Sequence, residues 1–212
     1  MPMPALTTIL LDRDGTVIKD KHYLADPDGV ELLPGVAESL SSLARKGARF
    51  FVVSNQSGIG RGMFSFDAAV AVNERLAYML RPYGVVFTDI QFCPHAPEQG
   101  CNCRKPATGM WDALQKQYGL DAGSTLMLGD KEEDILFAAN AGLALRGLVL
   151  TGKGEETAKR LALPRPIASR LEADGVSFAA HPESPSHPHL ILRSFQALEA
   201  GLERAKDVLC GA

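Results

Sequence analysis

The chain has 212 residues, 46% of them hydrophobic and 22% charged, so it can bury one well-packed core but is short for two full domains. Its net charge is −3 and its positive residues are scattered, which argues against a nucleic-acid-binding surface. No apolar run approaches the length that spans a bilayer, and the N-terminus lacks the basic start of a signal peptide. We expect one cytoplasmic domain over residues 1–212, a monomer that binds neither membranes nor nucleic acid.

Short apolar runs alternate with segments of helical periodicity from residue 7 to residue 150. The predicted strands are, in chain order, 7–11, 49–53, 88–92, 125–128 and 145–150. The predicted helices lie between them at about 35–46, 66–81, 109–118 and 132–141. Because the strands are apolar on both faces, the alternation indicates an α/β fold, a doubly wound, Rossmann-like parallel sheet covered by helices on both sides.

The stretch 151–188 interrupts this alternation. It opens with Thr151-Gly-Lys-Gly and contains five prolines, so we read it as an irregular insertion with one helix at 155–162. The histidines in and beside it, His181, His187 and His189, are read as part of a solvated loop and not as a metal site. A last strand is predicted at 190–192, followed by a helix that Ser194 caps.

Polar side chains follow four of the predicted strands. They are Asp12 and Asp14 after the first, residues 54–58 after the second, Cys93 and His95 after the third, and Asp130 and Lys131 after the fourth. In an open parallel sheet the ligand crevice lies beyond the carboxyl ends of the strands. We therefore expect these groups to converge on one rim.

Three of these residues predict a divalent cation. Asp12, Asp14 and Asp130 would repel one another unless a cation or a proton lay among them. Oxygen ligands without imidazoles favour Mg²⁺, which shares its coordination with phosphate oxygens. Together with Lys105 and Lys131, the set suits phosphoryl transfer. The alternative is that the aspartates only cap a turn and a helix.

A second metal site is indicated by a Cys-x-His pair and a Cys-x-Cys pair separated by five residues: Cys93, His95, Cys101 and Cys103. Residues two apart in extended backbone point to one side, so each pair can present two ligands to a single ion. In a reducing compartment four such ligands favour structural, tetrahedral Zn²⁺, although thiols packed together by chance are the alternative. Such a small zinc-binding loop would direct Arg104 and Lys105 towards the phosphate site.

The chain resembles the haloacid-dehalogenase-like (HAD) hydrolases over about residues 7–150. The four motifs of that family match Asp12-x-Asp14-Gly15-Thr16, Ser54-Asn55, Lys105 and Gly129-Asp130-x-x-x-Asp134. The longer strings 12–16, 54–62, 93–95, 103–106 and 129–131 are similar to members that act on a heptose bisphosphate, and members that act on histidinol phosphate share most of them. The resemblance implies a HAD fold and a Mg²⁺-dependent phosphatase. No segment between the motifs looks long enough for a large cap domain.

The resemblance also implies a role for each matching residue. Asp12 would attack phosphorus and form an aspartyl-phosphate, while Asp14 would act first as general acid and then as general base. Mg²⁺ would be held by the Asp12 carboxylate, the Asp14 backbone carbonyl and Asp130. Ser54 and Lys105 would hold the transferring oxygens.

Further residues are expected to bind the sugar phosphate: Asp20, Tyr23, Asn55, Gln56, Ser57, Arg61, Arg104 and Lys131. Arg61 has the alternative of a solvated arginine in a mobile, glycine-rich loop at 58–62. Asp134 either orients a lysine or is a solvated acid in the first turn of a helix. The competing substrates are histidinol phosphate and a nucleotide 3′-phosphate, and the competing class of protein is a zinc-knuckle binding module.

Overall fold

The computed structural model describes residues 6–163, 175–179 and 184–210, with the backbone alone at 207–210. The predicted features at His181 and between residues 164 and 174 lie outside the described residues. In the described part, seven strands form one sheet: β1 (Thr8–Leu11), β2 (Arg49–Asn55), β3 (Phe87–Cys93), β4 (Thr125–Gly129), β5 (Leu145–Val149), β6 (Val176–Phe178) and β7 (Leu190–Leu192).

The strand order is β3-β2-β1-β4-β5-β7-β6, and every neighbouring pair is parallel except β6 with β7. The central strand β1 is buried along its whole length, which explains its lack of the polar alternation of a half-exposed strand. From β1 the chain winds outward to β2 and β3 on one side and to β4 and β5 on the other. The strand order therefore reverses at β1, where an α/β sheet forms its ligand crevice.

Helices cover both faces of this sheet: α1 (Val36–Arg45), α2 (Ser57–Gly60), α3 (Phe66–Leu80), α4 (Gly109–Tyr118), α5 (Glu132–Asn140), α6 (Gly154–Arg160) and α7 (Leu198–Cys210). Apolar residues of α1, α3 and α7 join one core cluster with Ile9 and Leu11, whereas α4 and α5 contribute to a second cluster with Leu10. Successive side chains of β1 thus enter opposite layers. The predicted doubly wound α/β fold is confirmed.

The predicted strands and helices between residues 7 and 150 are present, with ends that differ by a few residues. Strand β6 was not predicted, and it extends the sheet within the stretch read as irregular. The expected cap of the last helix is wrong: Ser194 makes no capping bond, because a 3₁₀ turn over Phe195–Ala197 precedes α7 and the Ser194 hydroxyl donates to Gln196 instead. Among the described helices, none is both long and apolar enough to cross a membrane.

Candidate active site

A cleft of about 260 Å³ opens at the carboxyl ends of the central strands. Its lining includes most of the residues that the sequence singled out: Asp12, Asp14, Asp20, Tyr23, Ser54, Asn55, Gln56, Ser57, Arg104, Lys105, Lys131 and Asp134. The lining also includes His22, Leu24 and Glu133. Asp130 is buried beside the cleft, whereas Arg61 is exposed and not part of the lining. The polar groups that follow β1, β2 and β4 therefore converge on this cleft as expected, whereas Cys93 and His95 after β3 are not part of its lining.

The Asp12 carboxylate is held from one side by a lysine. The Lys105 ammonium donates to Asp12 Oδ1 at 2.7 Å and to the Val53 carbonyl at 2.6 Å, and it pairs with Asp134 Oδ1 at 2.5 Å. These three partners use the three protons of the ammonium group. Burial alone would raise the pKa of Asp12, but the charges of Lys105 and Lys131 outweigh it and lower that pKa. Asp12 is therefore ionised.

One oxygen of the Asp130 carboxylate makes no hydrogen bond with any described residue. The side chain is fully buried, and its Oδ2 accepts a hydrogen bond from the Lys153 backbone N–H at 2.7 Å, while Oδ1 has the Lys131 ammonium at 3.7 Å, beyond hydrogen-bond distance. Burial, aided by the charges of Asp12 and Asp134 and opposed by Lys131, raises the pKa of Asp130 to about 8. An unpaired buried carboxylate oxygen is costly, and a cation would satisfy it.

The carboxylates of Asp12, Asp130 and Asp134 form a cluster whose candidate ligand oxygens all lie within 4.8 Å of one another. Asp134 is buried and accepts a hydrogen bond from the Lys131 backbone N–H at 3.0 Å. Burial and the charge of Asp12, opposed by Lys105, raise its pKa to about 6. The reading of Asp134 as a solvated acid is wrong because its side chain is buried and pairs with Lys105. The donor set, all oxygen with one oxygen unpaired, fits Mg²⁺.

The Asp14 side chain is not a member of this cluster and pairs with Arg13 and Gln56. Its Oδ2 accepts hydrogen bonds from Arg13 Nε at 3.0 Å and from Gln56 Nε2 at 2.8 Å. Arg13 is 1% exposed, and its Nη1 donates to Asn73 Oδ1 at 2.8 Å, so α3 supports the arrangement. Sequence reasoning missed this function of Arg13. The available signal was an arginine between two aspartates at the end of a buried strand, where it needs a carboxylate partner.

The side chains of Asn55 and Gln56, which follow Ser54, have different hydrogen-bond partners. Gln56 Nε2 donates to Ser54 Oγ at 2.7 Å, which leaves the serine O–H free to donate towards the cleft. The Asn55 amide donates to the Lys105 carbonyl at 3.1 Å and accepts from the Lys105 N–H at 3.0 Å. Asn55 thus fixes the backbone of Lys105 against the end of β2.

The sulfur and nitrogen atoms of Cys93, His95, Cys101 and Cys103 are gathered in one cluster. The three Sγ···Sγ distances are 3.5, 3.2 and 3.4 Å, and His95 Nδ1 lies 3.2 Å from Cys103 Sγ and 3.6 Å from Cys93 Sγ. A tetrahedral zinc site with Zn–S bonds of about 2.3 Å has edges of about 3.8 Å. The four atoms are therefore already close to a tetrahedral arrangement.

The protonation of this cluster also favours a metal. Burial raises the pKa of the Cys93 thiol to about 12. Burial acts in the same direction on Cys101, but hydrogen bonds from the thiols of Cys103 and Cys93 outweigh it and lower the pKa of Cys101 to about 6. The thiols thus share protons that a metal ion would displace. The cluster is joined to the catalytic side, because the Gln56 N–H donates to the Cys93 carbonyl at 2.8 Å.

The remaining predicted residues lie at the rim of the cleft. Asp20 accepts a hydrogen bond from the His22 N–H at 3.0 Å, and His22 and Tyr23 both adopt positive φ angles. Arg104 Nη1 is buried without a hydrogen-bond partner in the described part of the chain. Lys131 Nζ lies 4.0 Å from Asp12 Oδ2 and 3.7 Å from Asp130 Oδ1. The glycine-rich run read as a mobile loop begins with α2, whose Gly60 N–H donates to the Pro94 carbonyl.

A doubly wound sheet with buried aspartates after β1 and β4 and a lysine between them defines a HAD-like hydrolase. The family model described as HAD-hydrolase-like matches residues 102–173. The D-glycero-beta-D-manno-heptose-1,7-bisphosphate 7-phosphatase of Haemophilus ducreyi is 41% identical over 68% of this chain and 84% of its own length. The enzyme of that name from Vibrio cholerae is 36% identical over 70% of this chain and 84% of its own.

The solved structure of D,D-heptose 1,7-bisphosphate phosphatase from B. bronchiseptica, complexed with magnesium and phosphate, superposes with a TM-score of 0.76. It is 29% identical and covers 93% of this chain and 98% of its own. The chain belongs to the family of D-glycero-beta-D-manno-heptose-1,7-bisphosphate 7-phosphatases. It is a phosphoric monoester hydrolase, as the motifs predicted, and the alternative of a zinc-knuckle binding module is not supported.

Proposed function

We propose that the chain removes the 7-phosphate of D-glycero-D-manno-heptose 1,7-bisphosphate through an aspartyl-phosphate at Asp12. The single observation that carries this proposal is the ionised, buried Asp12 at the floor of the cleft, beside the unpaired oxygen of Asp130. The names of the relatives support the sugar bisphosphate over histidinol phosphate or a nucleotide.

The expectations of a single domain, a monomer and a cytoplasmic location stay predictions.

Mg²⁺ is the cation that we propose for the carboxylate cluster. The Asp12 carboxylate, Asp130 Oδ1 and the Asp14 backbone carbonyl would hold it, and the solved relative with magnesium and phosphate supports the choice. When bound, Mg²⁺ supplies positive charge that offsets the carboxylates and the phosphoryl oxygens. Because burial raises the pKa of Asp130, binding of the metal by this carboxylate would be favoured at higher pH.

Asp12 is the nucleophile in this proposal. Because Lys105 occupies Oδ1, the other oxygen of Asp12 attacks phosphorus and displaces the sugar oxygen. Lys105 fixes the direction of the carboxylate, and Asp134 and the Val53 carbonyl fix Lys105 in turn. The intermediate divides the hydrolysis into two displacements: the Asp12 carboxylate is the nucleophile in the first, and a water molecule is the nucleophile in the second.

Asp14 moves protons in both displacements. It protonates the departing sugar oxygen, which is a poor leaving group as an alkoxide, and then accepts a proton from the water that attacks the aspartyl-phosphate. Arg13 Nε and Gln56 hold Asp14 Oδ2 at 3.0 and 2.8 Å, whereas Oδ1 accepts a longer bond of 3.3 Å from Arg13 Nη2, so Oδ1 is the more weakly held oxygen and the one we assign to proton transfer. The Ser54 hydroxyl donates to a transferring oxygen.

The other lining residues bind the substrate in this proposal. Arg104 and Lys131 supply charge to phosphate groups, and the buried, unpartnered Arg104 Nη1 is the stronger candidate because it has no competing acceptor in the described part of the chain. Asp20, Tyr23 and Ser57 contact the sugar. Asn55 and Gln56 act mainly on Lys105, Ser54 and Asp14. Arg61 is exposed and lies outside the cleft lining, so its contact with a phosphate stays a prediction.

We propose structural Zn²⁺ for the cysteine and histidine cluster. Three sulfurs and one nitrogen close to a tetrahedral arrangement leave no open position for a substrate. The ion would hold the loop that carries Arg104 and Lys105, so its effect on catalysis is through position.

A panel of phosphate esters tests the proposed substrate. Phosphate release should be most efficient on the heptose 1,7-bisphosphate, with loss from position 7 and slower turnover of histidinol phosphate and of a nucleotide 3′-phosphate. The ratio of kcat/KM values, measured with both anomers, is the relevant quantity. Equal efficiency on histidinol phosphate would contradict the assignment of the sugar while leaving the phosphatase chemistry intact.

The support of Asp14 by α3 predicts a specific kinetic effect of Asn73→Ala. The change leaves a buried donor of Arg13 unpaired and loosens Asp14, so turnover of the sugar phosphate should fall by about tenfold, a fraction of a full acid–base contribution. Release of p-nitrophenolate from p-nitrophenyl phosphate needs no general acid, because p-nitrophenolate is a good leaving group. Hydrolysis of the aspartyl-phosphate still needs Asp14 as general base. A pre-steady-state burst of p-nitrophenol should therefore appear in the variant.

Val72→Ala is the matched control for this experiment. Val72 is a neighbouring buried residue of α3 that belongs to the apolar core and not to the site, and its truncation destabilises the protein by about 2 kcal/mol. It should show neither the burst nor the slower turnover. Identical kinetics for the two variants would mean that Asn73 has only a structural role.

A further inference from the structure

The turn after β5 contacts the proposed metal ligand Asp130 directly. The Lys153 backbone N–H donates to Asp130 Oδ2 at 2.7 Å, and the Thr151 hydroxyl donates to the Gly15 carbonyl at 2.7 Å. The turn at residues 151–153 is thus tied both to the carboxylate and to the turn that follows β1. The mechanism proposed above gives these residues no role.

Two glycines let the backbone approach the carboxylate this closely. Gly15 and Gly152 have φ angles of 86° and 54°, which favour glycine. A Cβ atom at Gly15 would lie 2.2 Å from Asp130 Oδ2, and one at Gly152 would lie 2.3 Å from the same oxygen and 2.5 Å from the Gly15 Cα. All three distances are far inside van der Waals contact, so any side chain there would displace the carboxylate or separate the two turns.

The arrangement fixes one Asp130 oxygen and leaves the other one without a hydrogen bond. Oδ2 is enclosed by the two glycine turns and bonded to an N–H, whereas the buried Oδ1 accepts no hydrogen bond within the part of the chain that the structure describes. The Asp130 backbone is held as well, because the Thr157 hydroxyl donates to its carbonyl at 2.9 Å. A carboxylate held in this way presents a single oxygen in one direction, as a small cation with strict octahedral geometry requires.

We infer that the turn at residues 151–153 is a positioning element for the divalent cation, and that Gly152 and Thr151 set the affinity of the site by fixing Asp130. The inference rests on the proposed Mg²⁺ site. Partners of this kind change metal affinity by about 10–100-fold when they are removed. The turn therefore acts on metal binding before any substrate is present.

Mn²⁺ binding measures this effect without catalysis. Mn²⁺ takes the same oxygen ligands as Mg²⁺, and free Mn²⁺ is counted by electron paramagnetic resonance. Protein dialysed free of Mg²⁺ should bind one Mn²⁺ in the carboxylate cluster. Gly152→Ala should raise the Kd for Mn²⁺ by about 10–100-fold. Thr151→Val, which keeps the side-chain shape but removes the donor to Gly15, should raise this Kd by a smaller factor.

Gly142→Ala is the matched control. Gly142 also has a positive φ angle, 65°, but a Cβ atom there meets nothing within 4 Å, so the change brings comparable backbone strain without contact to Asp130. Its Kd for Mn²⁺ should equal that of the unmodified protein. Near-ultraviolet circular dichroism reports whether each variant is folded. If Gly152→Ala does not fold, the Mn²⁺ affinity of Thr151→Val alone tests the inference.

The outcomes separate this inference from the proposed function. If Asp130→Asn abolishes Mn²⁺ binding but folded Gly152→Ala and Thr151→Val bind it like the unmodified protein, the positioning role is wrong and the metal site stands. If the unmodified protein binds no Mn²⁺, or Asp130→Asn binds it unchanged, the metal site and the inference both fail. Weakened binding in both variants with an unchanged control supports the inference.

Discussion

Replacing Asp12 by asparagine should abolish phosphate release while the protein stays folded. Asparagine has the shape of aspartate but neither the charge nor the nucleophilicity of a carboxylate, so no aspartyl-phosphate can form. Loss of a catalytic nucleophile lowers kcat by about 10⁴-fold or more. Lys105 would keep Asp134 and the Val53 carbonyl as partners, so the buried ammonium is not left unpaired. Release of inorganic phosphate from the heptose bisphosphate measures the effect.

Asp67→Asn is the control, because it makes the same chemical change at an exposed position in the first turn of α3. Its turnover should match that of the unmodified protein. Acid quenching during turnover should trap phosphate on the unmodified protein and none on Asp12→Asn. If folded Asp12→Asn released phosphate at the rate of the unmodified protein, the result would contradict the proposed mechanism.

Removing two zinc ligands together, Cys101→Ser with Cys103→Ser, should eliminate bound zinc and impair substrate binding. The loop would lose the ion that positions Arg104 and Lys105, and we expect kcat/KM to fall by about 100-fold, at the upper end for disruption of a metal's supporting groups. Mn²⁺ binding should persist, because Asp130 is held by the turn after β5 and not by the cysteine loop. Elemental analysis for zinc and steady-state kinetics give the two readouts.

Cys210→Ser, which alters the cysteine outside the cluster, should leave both zinc content and kinetics unchanged. A double variant that is verified to be zinc-free and still has normal kinetics would show that the loop holds its position without the metal. Loss of Mn²⁺ binding in the double variant would show instead that the two sites are coupled.

The sequence predicted the parts of the fold that depend on local pattern. Strand β1 and helix α4 were recognised because a buried parallel strand leaves a continuous apolar run and an amphipathic helix leaves a helical periodicity of apolar residues. Strand β6 has only three residues, between segments rich in proline, and its place in the sheet depends on pairing with β7. Such long-range pairing leaves no local signal.

The same division holds for the candidate site. Asp12 and Asp130 were identified because a carboxylate that directly follows an apolar strand is unusual in any sequence. The contacts of Asn55 with the Lys105 backbone and of Lys153 with Asp130 were not predicted. They join residues that are distant in the chain, and backbone groups carry no sequence signature.

The short strand β6 also bears on the tendency of the sheet to pair edge to edge with strands of other chains. In the part of the chain that the structure describes, it forms one edge of the sheet, runs antiparallel to β7 and spans three residues. An edge strand this short offers few free backbone groups to a foreign strand, which is a common protection against fibril-like aggregation. The residues that terminate the sheet thereby contribute to colloidal stability at high protein concentration.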